Sequence, residues 1–323
     1  MWALIVSLIY TIPSLILYFT TVIVLVKNWK SMKSSFFILY LFDFSMNLST
    51  SCFTFICLKL SAATCLNCYL SFVYNSLNGT LFSQFLYAMM YHMSYVQYGT
   101  TAVISLNRLS VIYDHYTAEK LWNRFFFIPT ILLVFVPFVS TGVVFAAPCV
   151  WRKRAADESL TLICNLNESL YTPLIYYQGI CIVVSIVCNI SSFLLVARAS
   201  PEMKAKAELN FIILITVTTI VQLLGTGISQ ALNSQDGSGD LKSYLHSYLL
   251  PVISDAITLM HPWLLVLLSK PIRRHIRRDV LRQPSPSVDI QHVNSVVERA
   301  NQSHQPQQRQ GQGSARSLSK IQT

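Results

Sequence analysis

Residues 173–197 read PLIYYQGICIVVSIVCNISSFLLVA, an apolar run without a charged side chain. At a rise of about 1.5 Å per residue, a helix of about 20 such residues crosses the roughly 30 Å hydrocarbon core of a bilayer. A transmembrane strand needs only about 10 residues and alternates in polarity, whereas this run is longer and continuously apolar. The stretch therefore predicts a membrane-spanning helix.

Further stretches of the same kind lie on both sides of it. The predicted spans are Ala3–Val26, Phe36–Leu58, Leu81–Leu106, Phe125–Ala147, Pro173–Ala197, Leu209–Leu232 and Ser247–Leu268. Apolar residues make up 53% of the 323-residue chain and charged residues only 12%, which is too little charge for the surface of a soluble protein of this size. The sequence thus predicts an all-α polytopic membrane protein, with a seven-transmembrane helix bundle over residues 1–269.

Basic residues are unequally divided between the two sets of predicted loops. Up to residue 282, fifteen follow the odd-numbered spans, and five, including Lys59, follow the even-numbered spans. Because basic loops remain in the cytoplasm, the N-terminus is predicted to be extracellular and the C-terminus cytoplasmic. The net charge of +10 then suits anionic lipid of the inner leaflet and does not indicate nucleic acid as a partner.

The segment after the last span has two parts. In residues 270–282, Ile272, Ile276 and Val280 recur every four residues with arginines between them. This pattern predicts a short amphipathic helix along the inner leaflet. Residues 283–323 are rich in Gln, Ser and Pro, which predicts a disordered cytoplasmic tail.

The predicted outer loops carry candidates for covalent modification. Their cysteines are Cys65, Cys68, Cys149 and Cys164. These allow three pairings, and we expect at least one disulfide, crossing between the first and second outer loops. Cys65 and Cys68 form an isolated C-x-x-C without paired histidines, so no metal site is predicted. Two sequons, at Asn78 and Asn167, predict glycosylation.

A polar side chain inside a membrane span costs free energy, so its presence there indicates a structural or functional role. In the outer half they form a candidate ligand-binding set: Tyr87, Tyr91, His92, Tyr95, Gln178, Gln222 and Asp255. Plain interhelical packing is the alternative for this cluster. Asp255 is expected to have a partner or to be protonated, and Tyr91, His92 and Gln222 are the candidate partners. A separate intramembrane polar network is expected from Asp43, Asn47 and His261. No enzyme motif appears, so neither catalysis nor a cofactor is predicted.

Short loops and a basic helix after the last span resemble a G-protein-coupled receptor. Ser105-Leu106-Asn107-Arg108-Leu109 places an arginine where rhodopsin-like receptors carry Asp/Glu-Arg-Tyr. His261-Pro262-Trp263-Leu264-Leu265 stands where those receptors carry Asn-Pro-x-x-Tyr. Neither motif matches well, since Asn107 replaces the acid, so an ordinary rhodopsin-like member is not indicated.

The chain is similar to the nematode serpentine receptors of class gamma, a chemoreceptor family; the sister classes V and U are the alternatives. The similarity lies in Ile12-Pro13-Ser14-Leu15-Ile16-Leu17-Tyr18, Ser105-Leu106-Asn107-Arg108-Leu109-Ser110, Ser254-Asp255-Ala256-Ile257-Thr258-Leu259 and Pro271-Ile272-Arg273-Arg274. It runs from about residue 1 to residue 282. This resemblance implies a sensory role, coupling to a heterotrimeric G protein and location in the plasma membrane, in a sensory cilium.

We therefore interpret the chain as a chemosensory receptor that binds a small extracellular molecule between its helices. Candidates for the G-protein face are Asn107, Arg108, Lys204, Lys206, Arg273 and Arg274. The alternatives are a membrane transporter or ligand-gated channel, and a membrane protein without a ligand. The sequence contains neither an inverted repeat nor a filter motif that would favour transport.

Overall fold

The computed structural model describes residues 2–32, 34–64, 68, 70–153, 159–166, 171–198, 209–233, 245 and 249–279. Met1–Leu281 form one compact unit. The second unit, Arg282–Thr323, lies outside the described residues, as does the predicted disordered tail. Also outside them are Cys65, Asn167, Lys204, Lys206 and Val280.

Most of the described chain is helical, and the long helices follow the predicted spans. They are α1 (Trp2–Lys27), α3 (Ser35–Thr54), α5 (Leu81–Tyr113), α9 (Tyr171–Arg198), α10 (Leu209–Asn233) and α11 (Leu250–Leu268). Helix α3 continues as a π-helix over Phe55–Leu60. The fourth predicted span is divided into α7 (Phe127–Phe135) and α8 (Phe138–Phe145). The division falls at Pro137, which has no backbone N–H to continue the helical hydrogen bonds.

Shorter elements join these helices. They are α2 (Trp29–Met32), α4 (Ser71–Leu77), α6 (His115–Phe125) and α12 (Lys270–Asp279). Strands β1 (Cys149–Lys153) and β2 (Leu160–Cys164) form an antiparallel hairpin in which Cys149 lies opposite Cys164. Helices α4 and α6 and the hairpin were not predicted from the sequence, because their short segments lack a long apolar run.

Six helical segments within the described residues are long and apolar enough to cross a membrane. They are Leu4–Lys27, Ser35–Leu60, Phe127–Phe145, Tyr171–Arg198, Ile212–Leu232 and Leu250–Leu268. Helix α5, predicted as the third span, is not among them although it has 33 residues. It contacts α3, α9 and α10, so polar residues along it are buried against other helices. The helical membrane fold is confirmed, and the count of seven spans remains a prediction.

A large apolar cluster connects the ends of the helices opposite the hairpin. Tyr18 and Leu25 of α1 pack with Phe36 of α3, Leu265 of α11 and Ile272 of α12. Ile272 is fully buried, so the short basic helix α12 is part of this core. Its position along a lipid leaflet remains a prediction.

Polar contacts also hold α12 in place. Arg273 donates hydrogen bonds to the carbonyl oxygens of Val266, at 3.0 Å, and of Leu267, both near the C-terminus of α11. Asn28 donates to a carboxylate oxygen of Asp279 at 2.7 Å. Hydrogen bonds from Arg278 and from Asn28 lower the pKa of Asp279 to about 2. These contacts fix α12 between α1 and α11.

Candidate functional site

A cavity of about 680 Å³ lies between α3, its π-helical extension, α5, α9, α10 and α11. Strand β2 forms part of its lining through Thr161, Leu162, Ile163 and Cys164. Its volume falls within the range of about 300–1,000 Å³ typical of small-molecule sites. The cavity lies at the hairpin end of the bundle, where the sequence analysis expected a ligand.

Three of the seven candidate ligand-binding residues line this cavity: Tyr87, Tyr91 and Gln178. The hydroxyl groups of Tyr87 and Tyr171 are hydrogen-bonded to each other. The ring of Tyr91 meets that of Tyr171 edge to face, with 5.8 Å between centroids. Tyrosines of α5 and α9 thus form one aromatic side of the cavity.

Gln178, on α9, has a side chain that is 3% exposed. Its Oε1 has no hydrogen-bond partner among the described residues. A buried acceptor left without a partner costs about 1–3 kcal/mol. Among the buried side chains of the described cavity lining, Gln178 therefore differs in having a polar atom without a hydrogen-bond partner.

The other four candidates have different neighbours, and two of them connect α5 to α8. His92 Nδ1 lies 3.0 Å from Thr141 Oγ1, and its ring centroid lies 4.1 Å from that of Phe138. The hydroxyl of Tyr95 lies 3.0 Å from Ser140 Oγ. Both residues make contacts between helices, and neither lines the cavity.

Gln222 connects α10 to α5. Its Nε2 donates to Thr101 Oγ1 at 2.8 Å and to the carbonyl oxygen of Gln97 at 3.3 Å. The side chain is 1% exposed. Gln222 is therefore a bridge between helices and does not line the cavity.

Asp255 forms a buried ion pair with Lys59. The Lys59 Nζ lies 2.5 Å from Asp255 Oδ1, and Tyr10 donates a hydrogen bond to Oδ2. The three partners predicted for Asp255 were wrong. The assignment of Lys59 to an outer loop was also wrong, because the π-helix extends through Leu60 and buries it. Sequence could not reveal this pair, since its members are separated by 196 residues.

Asp43, Asn47 and His261, which were expected to form a network, lie close together midway along the bundle. Asn47 donates to Asp43 Oδ2 at 2.8 Å, and His261 Nδ1 lies 3.6 Å from the same oxygen. Gln97 donates to Asn47 Oδ1 at 2.8 Å. Because Gln97 also lines the cavity, the network reaches the candidate site.

At the opposite end, Glu119 of α6 contacts the start of α3. Its carboxylate accepts hydrogen bonds from the backbone N–H of Ser35 at 2.6 Å and from Ser35 Oγ at 2.7 Å. A carboxylate at a helix N-terminus is favourable because it meets the positive end of the helix dipole. Asn107 donates to Ser35 Oγ at 2.9 Å. Glu119 was not predicted as a functional residue, because it lies 84 residues from Ser35 in the sequence.

The remaining residues proposed for this end have distinct environments. The guanidinium carbon of Arg108 lies 3.8 Å from the centroid of the Phe36 ring, and the side chain is 9% exposed. Arg273 caps α11 through the carbonyl oxygens described above. Arg274 is exposed on α12.

Cys149 and Cys164 form a disulfide between the two strands of the hairpin. The expected disulfide between the first and second outer loops was therefore wrong for these two cysteines, which belong to the same loop. Cys68 is also disulfide-bonded.

Hydrogen bonds, instead, connect the hairpin to the first outer loop. The backbone N–H of Trp151 donates to Asn78 Oδ1 at 2.7 Å. The backbone N–H of Leu160 donates to the carbonyl oxygen of Thr64 at 3.2 Å. Glycosylation of Asn78, whose side chain is exposed, remains a prediction.

Removing the hairpin disulfide should reduce the amount of protein at the cell surface. The bond closes a loop of 15 residues, which corresponds to about 3 kcal/mol of stabilisation. We expect Cys149→Ser, Cys164→Ser and the double variant to fall to a similar level in surface immunostaining. Cys181→Ser is the control, because Cys181 is a buried free thiol. A decrease for Cys181→Ser as large as that for Cys164→Ser would contradict a specific role for the disulfide.

Comparison with known proteins adds independent information. Residues 4–276 match the family described as Srg family chemoreceptor. The chain is also similar to serpentine receptor class gamma-31 of Caenorhabditis elegans. The two are 26% identical over 308 residues, which covers 90% of this chain and 97% of the relative.

Proposed function

Since this chain belongs to the Srg family of chemoreceptors, we propose that it binds a small extracellular molecule in the cavity and signals through a heterotrimeric G protein. Family membership implies a serpentine receptor rather than an enzyme. The cavity of about 680 Å³ is the observation that carries the proposal of ligand binding. It has the size of a small-molecule site and is formed mainly by helices whose packing a ligand could change.

The contacts of two cavity residues support a route for signal transmission. Tyr98 lines the cavity and donates to the carbonyl oxygen of Gln222 at 3.0 Å. Gln97 lines it as well and donates to Asn47, which contacts Asp43 and His261. A ligand that binds one arrangement of these helices more tightly shifts the population toward that arrangement. The change would reach the other end of the bundle, where Arg108 and Glu119 lie.

We propose that the N-terminus is extracellular and the C-terminus cytoplasmic in the plasma membrane. The excess of basic residues after the odd-numbered predicted spans supports this orientation. So does the Cys149–Cys164 disulfide beside the cavity, since disulfides form on the extracellular side. Anionic lipid of the inner leaflet would then meet the arginines of α12. A sensory cilium is the proposed location by family resemblance.

Filling the cavity provides the test of this function. Ser94→Phe places a ring in the cavity, whereas Val139→Phe changes a side chain that is 87% exposed and lies outside the lining. We expect a ligand that evokes calcium or cyclic-nucleotide signals through the wild-type receptor to lose at least about tenfold in potency on Ser94→Phe, as for an interaction of about 1.4 kcal/mol. Val139→Phe should respond normally.

Surface level is measured in the same cells with an epitope tag at Met1, which should stain without permeabilisation. A tag at Thr323 should stain only after permeabilisation. Solute flux or ionic current from the purified protein in liposomes, without any signalling response in cells, would overturn the receptor proposal in favour of a transporter or channel.

A further inference from the structure

We infer that the cavity takes an uncharged, largely apolar ligand whose hydroxyl or amide group hydrogen-bonds to the side-chain amide of Gln178. This inference rests on the proposed function, because it describes the ligand of the same site. It is carried by the charge of the lining, by the hydrogen bonds of the lining residues and by the buried Gln178.

None of the described residues around the cavity carries a charged side chain. Among the described residues, Lys59 and Asp255 are charged and lie close by, since their chain neighbours Leu58 and Ser254 line the cavity. Within this pair, Lys59 Nζ lies 2.5 Å from Asp255 Oδ1, so the two charges neutralise each other. Asp255 also accepts a hydrogen bond from Tyr10. A charged ligand would lose its hydration here without gaining a counterion, which costs several kcal/mol for each buried ion.

Most of the polar groups of the lining already have partners within the protein. Thr50 and Thr54 donate to backbone carbonyl oxygens of their own helix. Tyr98 donates to Gln222 and accepts from Thr226. Among the described lining residues, a ligand therefore meets few polar groups without a partner in the protein.

Gln178 differs from these residues. It lines the cavity, is 3% exposed and has an Oε1 without a partner among the described residues. The terminal torsion of a glutamine is broad and roughly two-fold, so its rotation turns either amide atom toward the cavity. A ligand hydroxyl or amide can donate to Oε1 and so remove the cost of the unpaired acceptor. Gln178 thus positions the polar end of the ligand, and the tyrosine side of the cavity contacts its apolar part.

Matched chemical probes test this inference on the purified full-length protein in lipid nanodiscs. The probes are decanol, its methyl ether, decanoate and decylammonium, together with the corresponding cyclohexyl series. Thermal unfolding measures binding, because a ligand of the folded state raises its midpoint. We expect the neutral alcohols to raise the midpoint of the wild-type protein more than the carboxylates or the ammonium compounds do. The alcohol should also bind about tenfold more tightly than its ether, as for one hydrogen bond.

Two variants and one control connect the effect to the cavity. Gln178→Leu should remove the preference for the alcohol over the ether, and Ser94→Phe should remove the shift itself. Gln84→Leu is the same change at a half-buried glutamine outside the lining. It should retain the shift of the midpoint and the preference for the alcohol over the ether. No shift with any neutral probe, a larger shift with a charged probe, or an unchanged preference in Gln178→Leu would overturn the inference.

The result separates the ligand chemistry from the proposed signalling. Binding of neutral probes with the expected Gln178 dependence, but no G-protein signal from any ligand in cells, would leave the inference standing and overturn the receptor function. Signals evoked only by charged molecules, with a loss on Ser94→Phe, would support the receptor function and overturn the inference.

Discussion

Asp255→Leu should reduce the amount of folded protein at the cell surface several-fold, and Asp255→Asn should do nearly the same. Each variant leaves the ammonium of Lys59 buried without its counterion, in a side chain that is only 5% exposed. Removing one member of a buried ion pair costs about 3–5 kcal/mol, which is a large part of the stability of a typical protein. Surface immunostaining and the thermal midpoint of purified protein measure the effect.

The double variant Lys59→Met/Asp255→Leu is the decisive control. Replacing both members of a buried ion pair by apolar residues of similar size is often neutral or stabilising. We therefore expect the double variant to recover most of the surface level that Asp255→Leu loses. Tyr10→Phe should have a smaller effect, because it removes one hydrogen bond and keeps the ion pair. A double variant as poor as Asp255→Leu would show that the loss has a different cause.

Arg108→Ala should abolish the ligand-evoked signal while the surface level stays near that of the wild type. The guanidinium lies over the ring of Phe36, at 3.8 Å from its centroid, on the proposed cytoplasmic end. A desolvated contact of this kind is worth about 2 kcal/mol. We propose that the side chain leaves Phe36 in the active arrangement and contacts the G protein. Phe36→Leu keeps an apolar side chain but removes the aromatic face, so it should raise the signal without ligand.

Phe37→Leu is the matched control for Phe36→Leu, since it makes the same change at the next position of α3. Signalling in these variants is measured at equal surface levels, with and without ligand. If Arg108→Lys signals as well as the wild type, only the positive charge matters. Arg108 would then be a residue that extends to lipid phosphates, and its proposed contact with the G protein would be wrong.

Helices predicted from local sequence agree best with the structure. The run around Pro173–Ala197 is observed as α9, because continuous apolar character and length suffice to specify a membrane helix. The similarity to class gamma receptors, seen in short motifs, is confirmed by the family match over residues 4–276. The hairpin was not predicted, because its strands have five residues each and its register depends on pairing across the loop.

For the site, the sequence identified polar residues in the spans but not their neighbours. Tyr87 and Tyr91, one turn apart on α5, both line the cavity. His92 directly follows Tyr91 and points toward α8 instead. A shift of one residue rotates a side chain by about 100° around a helix, so the packing of the neighbouring helices decides which role each residue has.

The sequence by itself determined the helical membrane class, the approximate spans and the receptor family, since apolar length and short motifs are local properties of the chain. Only the tertiary structure decided that Asp255 pairs with Lys59, that Glu119 caps α3 and that Gln178 lines the cavity with an unpaired acceptor. Each of these depends on which faces of distant helices meet. Inside a bundle, that choice comes from the combined packing and hydrogen bonding of many side chains, and no local pattern records it.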